Sequence, residues 1–339
     1  FLTTFTKFIS AEIFSVNEKI SKFGYRISPI FLLLAGFIPL LFSDWYAFVI
    51  IIPILLGAYV GTFWTAFHGI RKLKKVTNER KSVRAFQYYE IASTISAASI
   101  VLLLKYIGFS HFAGYIGASL AFIALIIPMN LKGENIGFST NDLSSKKAIL
   151  ARLITGSFGI IGFSLIWCMR IIALKFAGIS GIAAMVAISS TIGFIVSEIN
   201  ERTLKPRNAD ERNWKIGNYL QIFGIIMMMI SLFLYQEKFI LFGYLITKAG
   251  TSGILHPLEV RISGELLSGD EKSIGLRERI KFRNQVKILM FYMIFNLPII
   301  YILGEINIQF SVGLALITCL SYSVLNLETF NKLRMQQLV

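Results

Sequence analysis

The chain has 339 residues, 55% of them hydrophobic and only 16% charged, with mean hydropathy +0.66. Soluble domains carry about 25% charge, so a water-soluble globular protein is excluded. The net charge of +15, from 34 basic and 19 acidic residues, points to nucleic acid, a membrane surface or a topological signal, and the positions of the charges decide among these.

A helix needs about 20 apolar residues to cross a hydrocarbon core about 30 Å thick, and its backbone polar groups must be satisfied internally. Ten stretches reach that length: Ile27 to Ser43, Trp45 to Ile70, Phe86 to Ile107, His111 to Leu131, Ile149 to Leu174, Gly178 to Glu198, Ile216 to Gln236, Phe239 to Val260, Val286 to Leu303 and Ile308 to Phe330. Before them, Phe1 to Val16 reads as the end of an apolar segment that begins upstream. Ile, Leu, Phe, Gly and Ala dominate, with Pro39, Pro53, Pro128 and Pro298 inside or at the ends, which suits packed helices rather than alternating barrel strands.

The segments Asn17 to Arg26, Arg71 to Arg84, Lys132 to Arg152, Arg202 to Lys215, Arg261 to Lys287 and the C-terminal tail hold 28 of the 34 basic residues. The alternate loops hold only Lys105, Lys175 and Lys238. Lysine and arginine are retained on the cytoplasmic side, so both ends of the ten-helix block are expected to face the cytoplasm, in a bacterial inner membrane. The positive excess is topology, with contact to the lipid bilayer's anionic headgroups and no nucleic-acid partner. Cys168 and Cys319 lie inside apolar runs and supply neither a disulfide framework nor a zinc site.

Outer loops are a few residues long, and the longest helix-free stretches are expected at Lys132 to Ala148 and Arg261 to Arg283. With no extramembrane domain, the chain is a carrier, a membrane-embedded enzyme or a partner subunit. No DxD, HExxH or GxSxG motif occurs, and the reading is not an enzyme, with no cofactor and no metal.

Weak internal echoes suggest duplicated halves. Ser21-Lys22-Phe23-Gly24-Tyr25-Arg26 is matched in position by Ser197-Glu198-Ile199-Asn200-Glu201-Arg202. The helix Trp45 to Ile70 carries Gly57, Gly61, Thr62 and a late His68, while Phe239 to Val260 carries Gly250, Thr251, Gly253 and a late His256. On these features the chain resembles the major facilitator superfamily, whose fold is two six-helix bundles with cytoplasmic termini and a basic loop between the second and third helices of each half. The resemblance implies an all-α polytopic bundle of two pseudo-symmetric halves: residues 1–131 as the N-terminal bundle, 132–148 as the cytoplasmic central loop and 149–339 as the C-terminal six-helix bundle. It also implies that Phe1 to Val16 ends the second helix and that the first is absent. The family's inner-loop signature is met by Lys22, Gly24 and Arg26, while Asn17, Ser21 and Tyr25 depart from it. The resemblance makes this loop a cytoplasmic gate.

Ionisable groups deep in a bilayer cost about 2.5 to 3.5 kcal/mol, so each is a functional candidate. Lys248 lies nine residues into its helix, about 14 Å along the axis, and is followed by Ala249-Gly250-Thr251-Ser252-Gly253, a run that lets a helix bend. A cation there attracts a carboxylate, phosphate or sulfate; the bland reading is internal pairing with close helix packing. Arg170, four residues from the outer end of its helix, either snorkels or joins Lys248 in holding an anion. Trp64 and Tyr59 are candidates to stack on a solute, or core aromatics. His68 and His256 sit near the cytoplasmic face as coupling candidates, with Glu90 and Glu259 as gate acids. Solvated ion pairs with the basic loops are the simpler expectation for Glu12, Glu90, Glu198 and Glu259.

The expected activity is secondary transport of a small organic solute, anionic or amphiphilic, by alternating access, with proton or sodium as candidate coupling ions. The alternative is a non-transporting subunit that keeps the fold and serves as an assembly or interaction partner in a complex, which the degenerate gating loop favours.

Overall fold

The computed structural model describes residues 2–41, 50–73, 106, 146–176, 188–199, 209–234, 237–266, 275–304 and 307–335. The described elements are helical throughout: α1 (Leu2–Phe14), α2 (Glu18–Leu41), α3 (Ile52–Leu73), α4 (Lys146–Phe176), α5 (Ile188–Ile199) and α6 (Ala209–Phe233). A further rod runs through α7 (Glu237–Lys248), a π-helical stretch (Ala249–Leu255) and α8 (His256–Leu266); α9 (Leu276–Leu303) and α10 (Ile308–Met335) follow. Among the described residues, four helices are long and apolar enough to cross a membrane, within α4, α6, α9 and α10, and the chain is an integral membrane protein.

Local chemistry sets the helix ends. Asn17 caps α2, its Oδ1 accepting from the Ile20 amide at 2.9 Å, and Asn307 caps α10 in the same way through the Phe310 amide at 2.9 Å. Gly304, at φ +70°, closes α9, and Gly275, at φ +63°, precedes it; both take the left-handed conformation that only glycine adopts without strain.

The stretch expected to be helix-free from Arg261 to Arg283 is largely helix, because α8 continues to Leu266 and α9 begins at Leu276. Burial of Arg277, Glu278, Lys281 and Phe282 at the start of α9 sustains helix where apolarity has already ended. Residues 146–148, expected in the central loop, form the first turn of α4. The expected spans over 86–107 and 111–131, Glu90, and residues 132–145 lie outside the described residues, residue 106 apart.

The chain divides into two compact units. The first takes in described residues 2–41, 50–73, 106, 266 and 275–286; the second takes in 146–176, 188–199, 209–234, 237–265, 287–304 and 307–335. In the first, α3 packs on α1 and α2. Gly57 and Gly61 make this close: a Cβ on Gly57 would stand 2.5 Å from the Thr3 carbonyl oxygen, and one on Gly61 would strike the Lys7 carbonyl. Lipid tails are as apolar as leucine, so such backbone approach, rather than exclusion of water, holds these helices together.

In the second unit α4 lies along α10, and α6 lies against α7, the π stretch and α10. Its core holds Ile161, Leu165, Cys168, Ile225, Met228, Tyr292, Leu316 and Cys319, all nearly inaccessible. Phe223 and Ile230 on α6 and Ile294 and Phe295 on α9 stay exposed, as side chains meeting acyl chains do. Met228, central in the run Met227-Met228-Met229, is the buried one, and its thioether fills core space.

Candidate functional site

Chain order alone puts Lys248, Thr251, His256 and Glu259 on one rod, with the π stretch in the middle. A π turn spends one more residue per hydrogen bond than an α turn, visible here as the His256 amide bonding back five residues to the Thr251 carbonyl. Lys248 is the last residue of α7 and is half-buried. Its Nζ lies 5.9 Å from the centre of the Tyr244 ring one turn earlier. Thr251 is buried, with its hydroxyl 2.9 Å from Gln221 Oε1 and 2.7 Å from the Thr247 carbonyl.

Beyond the π stretch, Glu259 is fully buried. Thr155 Oγ1 on α4 donates to its Oε1 at 3.3 Å, Ser263 Oγ, whose proton is shared with the Glu259 carbonyl oxygen at 2.6 Å, lies 3.0 Å from the same carboxylate oxygen, and His256 Nδ1 lies 3.7 Å from Oε2. The expectation that Glu259 is solvated is therefore corrected. The backbone turn that carries it faces α4 rather than the water beyond the helix end, and neutral hydroxyls join the imidazole around the carboxylate. Such a site changes charge at a cost that protonation or a moving partner can relieve.

The first unit holds a different arrangement. Glu12, near the end of α1, meets α9: Arg279 approaches Oε2 through Nε at 3.0 Å and Nη2 at 2.5 Å, and Arg283 Nη2 approaches Oε1 at 2.7 Å. The partners are thus 267 and 271 residues away in sequence rather than in the adjoining loop; two nitrogens of Arg279 converge on one oxygen, Oε2, and Arg283 takes the other. Beside it Lys7 Nζ donates to Gln285 Oε1 and lies 4.4 Å from the Phe282 ring centre, while Arg283 stands 6.0 Å from the ring of Phe8. Lys7, an ionisable residue in an apolar stretch, is accommodated by these contacts.

Tyr59 and Trp64 gather around Phe63, at ring-centre distances of 5.5 and 5.2 Å, and Tyr25 of α2 stacks on the same ring at 5.4 Å. Lys22 is half-buried and Arg26 exposed on α2, where Asn17 serves as helix cap and Ser21 Oγ bonds the Phe14 carbonyl at 2.5 Å. Arg170 lies in α4 and His68 in α3; their side chains lie outside the described residues.

Neutral polar residues inside apolar runs are what charge-based reading misses. Gln221 is fully buried; its Nε2 donates to Ser323 Oγ on α10 while its Oε1 lies against Thr251. Trp214 stacks on Phe330 at 4.5 Å, and Asn218 Nδ2 donates to the Trp214 carbonyl at 2.9 Å. Asn218 Oδ1, both amide atoms of Asn326 and Trp214 Nε1 are buried with no hydrogen-bond partner in the protein. Amides within segments otherwise apolar enough to span a membrane are the sequence signal for this seam, since each costs free energy unless it is bonded.

No family model matches the sequence, and no curated protein matches it. The fold is similar to that of a bacterial homologue of iron transporter ferroportin in an outward-facing state, with TM-score 0.64 and 10% identity, over 98% of this chain and 89% of that one. A structure of such a homologue with soaked iron gives TM-score 0.58 and 13% identity, over 98% of this chain and 88% of that one. The fucose:proton symporter of E. coli is similar with TM-score 0.50 and 12% identity, over 96% of this chain and 87% of that one. At these identities the likeness is one of fold, and it agrees with the all-helical membrane fold that the resemblance to the major facilitator superfamily implies.

Proposed function

We propose that the chain is a secondary transporter of the major facilitator superfamily, with ten complete spans in two related halves, moving a small anionic or amphiphilic organic solute by alternating access. The observation that carries this reading is Lys248, a half-buried cation at the junction of an α-helix and a π turn, in a chain whose fold is that of known transporters. The neighbours' names mention iron and fucose with a proton. A lysine ammonium repels a metal cation and attracts an anion, so the charge favours an organic acid over iron.

Within this reading Lys248, with Arg170, binds the solute, and Tyr59, Trp64 and Thr251 shape the path. His256 and Glu259 carry the coupling proton: an imidazole near a carboxylate in a buried setting moves a proton at modest cost. Glu12 with Arg279 and Arg283, and Lys22, Arg26, Glu90 and His68 with them, form the cytoplasmic gate, whose ion pairs break and re-form as access alternates.

The test is uptake of labelled lactate, succinate and dodecanoate into proteoliposomes at imposed proton gradients. Lys248→Ala is expected to lower uptake of the carried anion by about 100-fold, equivalent to about 2.7 kcal/mol, with unchanged thermal stability and partial rescue by Lys248→Arg. Wild-type rates in Lys248→Ala overturn the assignment. A wild type that carries none of these anions, but co-purifies stoichiometrically with another membrane protein, favours the non-transporting subunit.

A further inference from the structure

Gln221 is expensive where it stands. Its side chain is fully buried among helices that are otherwise mostly apolar, and a primary amide in such a setting costs free energy unless its hydrogen bonds are made. Its described bonds go to two different elements: Nε2 donates to Ser323 of α10, and Oε1 accepts from Thr251 in the middle of the π stretch, whose hydroxyl proton is shared with the Thr247 carbonyl. The π stretch is costly as well, since its hydrogen-bond pattern is rare and two of its seven residues, Gly250 and Gly253, are poor helix formers. Its backbone is pressed on two sides. A Cβ on Gly250 would lie 2.5 Å from the Gly217 carbonyl oxygen of α6, and one on Gly253 would lie 2.8 Å from the Gly193 carbonyl oxygen of α5. Thr251 lies between these two glycines, and Gln221 is the side chain described as bonding to it.

The location gives the expense a purpose. Lys248 immediately precedes the π stretch and His256 immediately follows it, with Glu259 one turn on. At about 100° per residue an unbroken α-helix would bring Glu259 within about 20° of the face that carries Lys248, whereas one inserted residue turns it to about 80° away and shifts it by about 1.5 Å. The π turn therefore decides whether the solute cation and the buried carboxylate share a face of the rod.

We propose that Gln221 is a positioning residue for coupling: by holding Thr251 it fixes the π turn, and so sets the angle between Lys248 and the His256–Glu259 pair. The inference rests on the transport reading above for the roles of Lys248 and Glu259. Gln221 touches neither solute nor proton. Loss of its bond lets the extra residue be absorbed into regular α-helix, swings Glu259 away from Thr155, and unlinks proton movement from solute movement.

Two measurements on the full chain test this. In micelles, hydrogen exchange read by mass spectrometry is expected to rise about tenfold across residues 251–256 in Gln221→Leu, with residues 225–232 unchanged. In proteoliposomes, protons moved per anion, using whichever of lactate, succinate or dodecanoate the wild type carries and an internal pH dye, are expected to fall at least about threefold while the KM for the anion stays within about twofold. Gln221→Glu, which keeps an acceptor for Thr251, restores the ratio in part. The raised exchange across residues 251–256 is expected again in Thr251→Val and not in Thr251→Ser, a readout independent of the solute path that keeps the test decisive if Gln221→Leu fails to fold. Unchanged exchange, or raised exchange with an intact ratio, overturns the proposal. A wild type that moves none of the anions removes the transport reading itself, and the coupling role with it, a result told apart from failure of Gln221 because it precedes any substitution.

Discussion

Two carboxylates in this molecule stand in different surroundings. Glu12 in the first unit retains 25% side-chain exposure and is met by two guanidinium groups; Glu259 in the second is at 0%, with two hydroxyls and an imidazole among its described contacts. A carboxylate between arginines is held ionised, and separating the partners is what changes its energy. The described contacts of Glu259 fix its carboxylate against α4 without an exposed face. In the transport reading proposed above, the first arrangement serves as the latch and the second as the proton site.

Substitution of Glu259 gives the largest separation between them. Glu259→Gln is isosteric and keeps an acceptor oxygen for the Thr155 and Ser263 hydroxyls, so stability is expected to change by less than about 1 kcal/mol, since removing a buried charge offsets the loss of its bonds. Proton-driven uptake is expected to fall about 100-fold while exchange of anion across the membrane without a gradient persists. Retained proton coupling in this variant would erase the distinction drawn here.

Glu12→Gln is expected to leave proton stoichiometry alone and to cost about 1 to 3 kcal/mol of stability, because the half-buried Arg279 and the exposed Arg283 both lose their counter-charge. The charge-swapped pair Glu12→Arg with Arg279→Glu is expected to recover part of that loss, as read by thermal unfolding in micelles. The smallest effect sharpens the comparison within the latch: Arg279, at 24% exposure with a two-nitrogen contact, is expected to matter more than Arg283, at 54%. Arg283→Gln should shift stability by less than about 1 kcal/mol. Equal losses at both positions would mean that the two-nitrogen contact contributes nothing.

What could be read from sequence follows the same physical line. The spans of α4, α6, α9 and α10 were legible because lipid demands long apolar runs. The start of α9 was not, since its first turns are charged and are stabilised by burial rather than by composition. The flexible character of Ala249 to Gly253 was visible in its small residues, but the π turn itself depends on Gln221 and on glycines from two other helices. Glu12 could not be matched to Arg279 and Arg283 by neighbourhood, because the loops beside it supply nearer cations in sequence. Glu259 was misjudged for a related reason: Arg261 two residues on suggests water, while the side chain points at Thr155 on α4.

The two cysteines carry a practical consequence. Both thiols are buried in the second unit, with Cys168 Sγ 3.8 Å from the Val312 carbonyl oxygen and Cys319 Sγ 3.7 Å from that of Ile161. Sealed among packed side chains, they are out of reach of bulky polar maleimides in the folded protein. A single new cysteine at an exposed helix end, such as Lys19 or Tyr301, would then report its own side of the bilayer against a silent native background, with neither natural thiol having to be replaced.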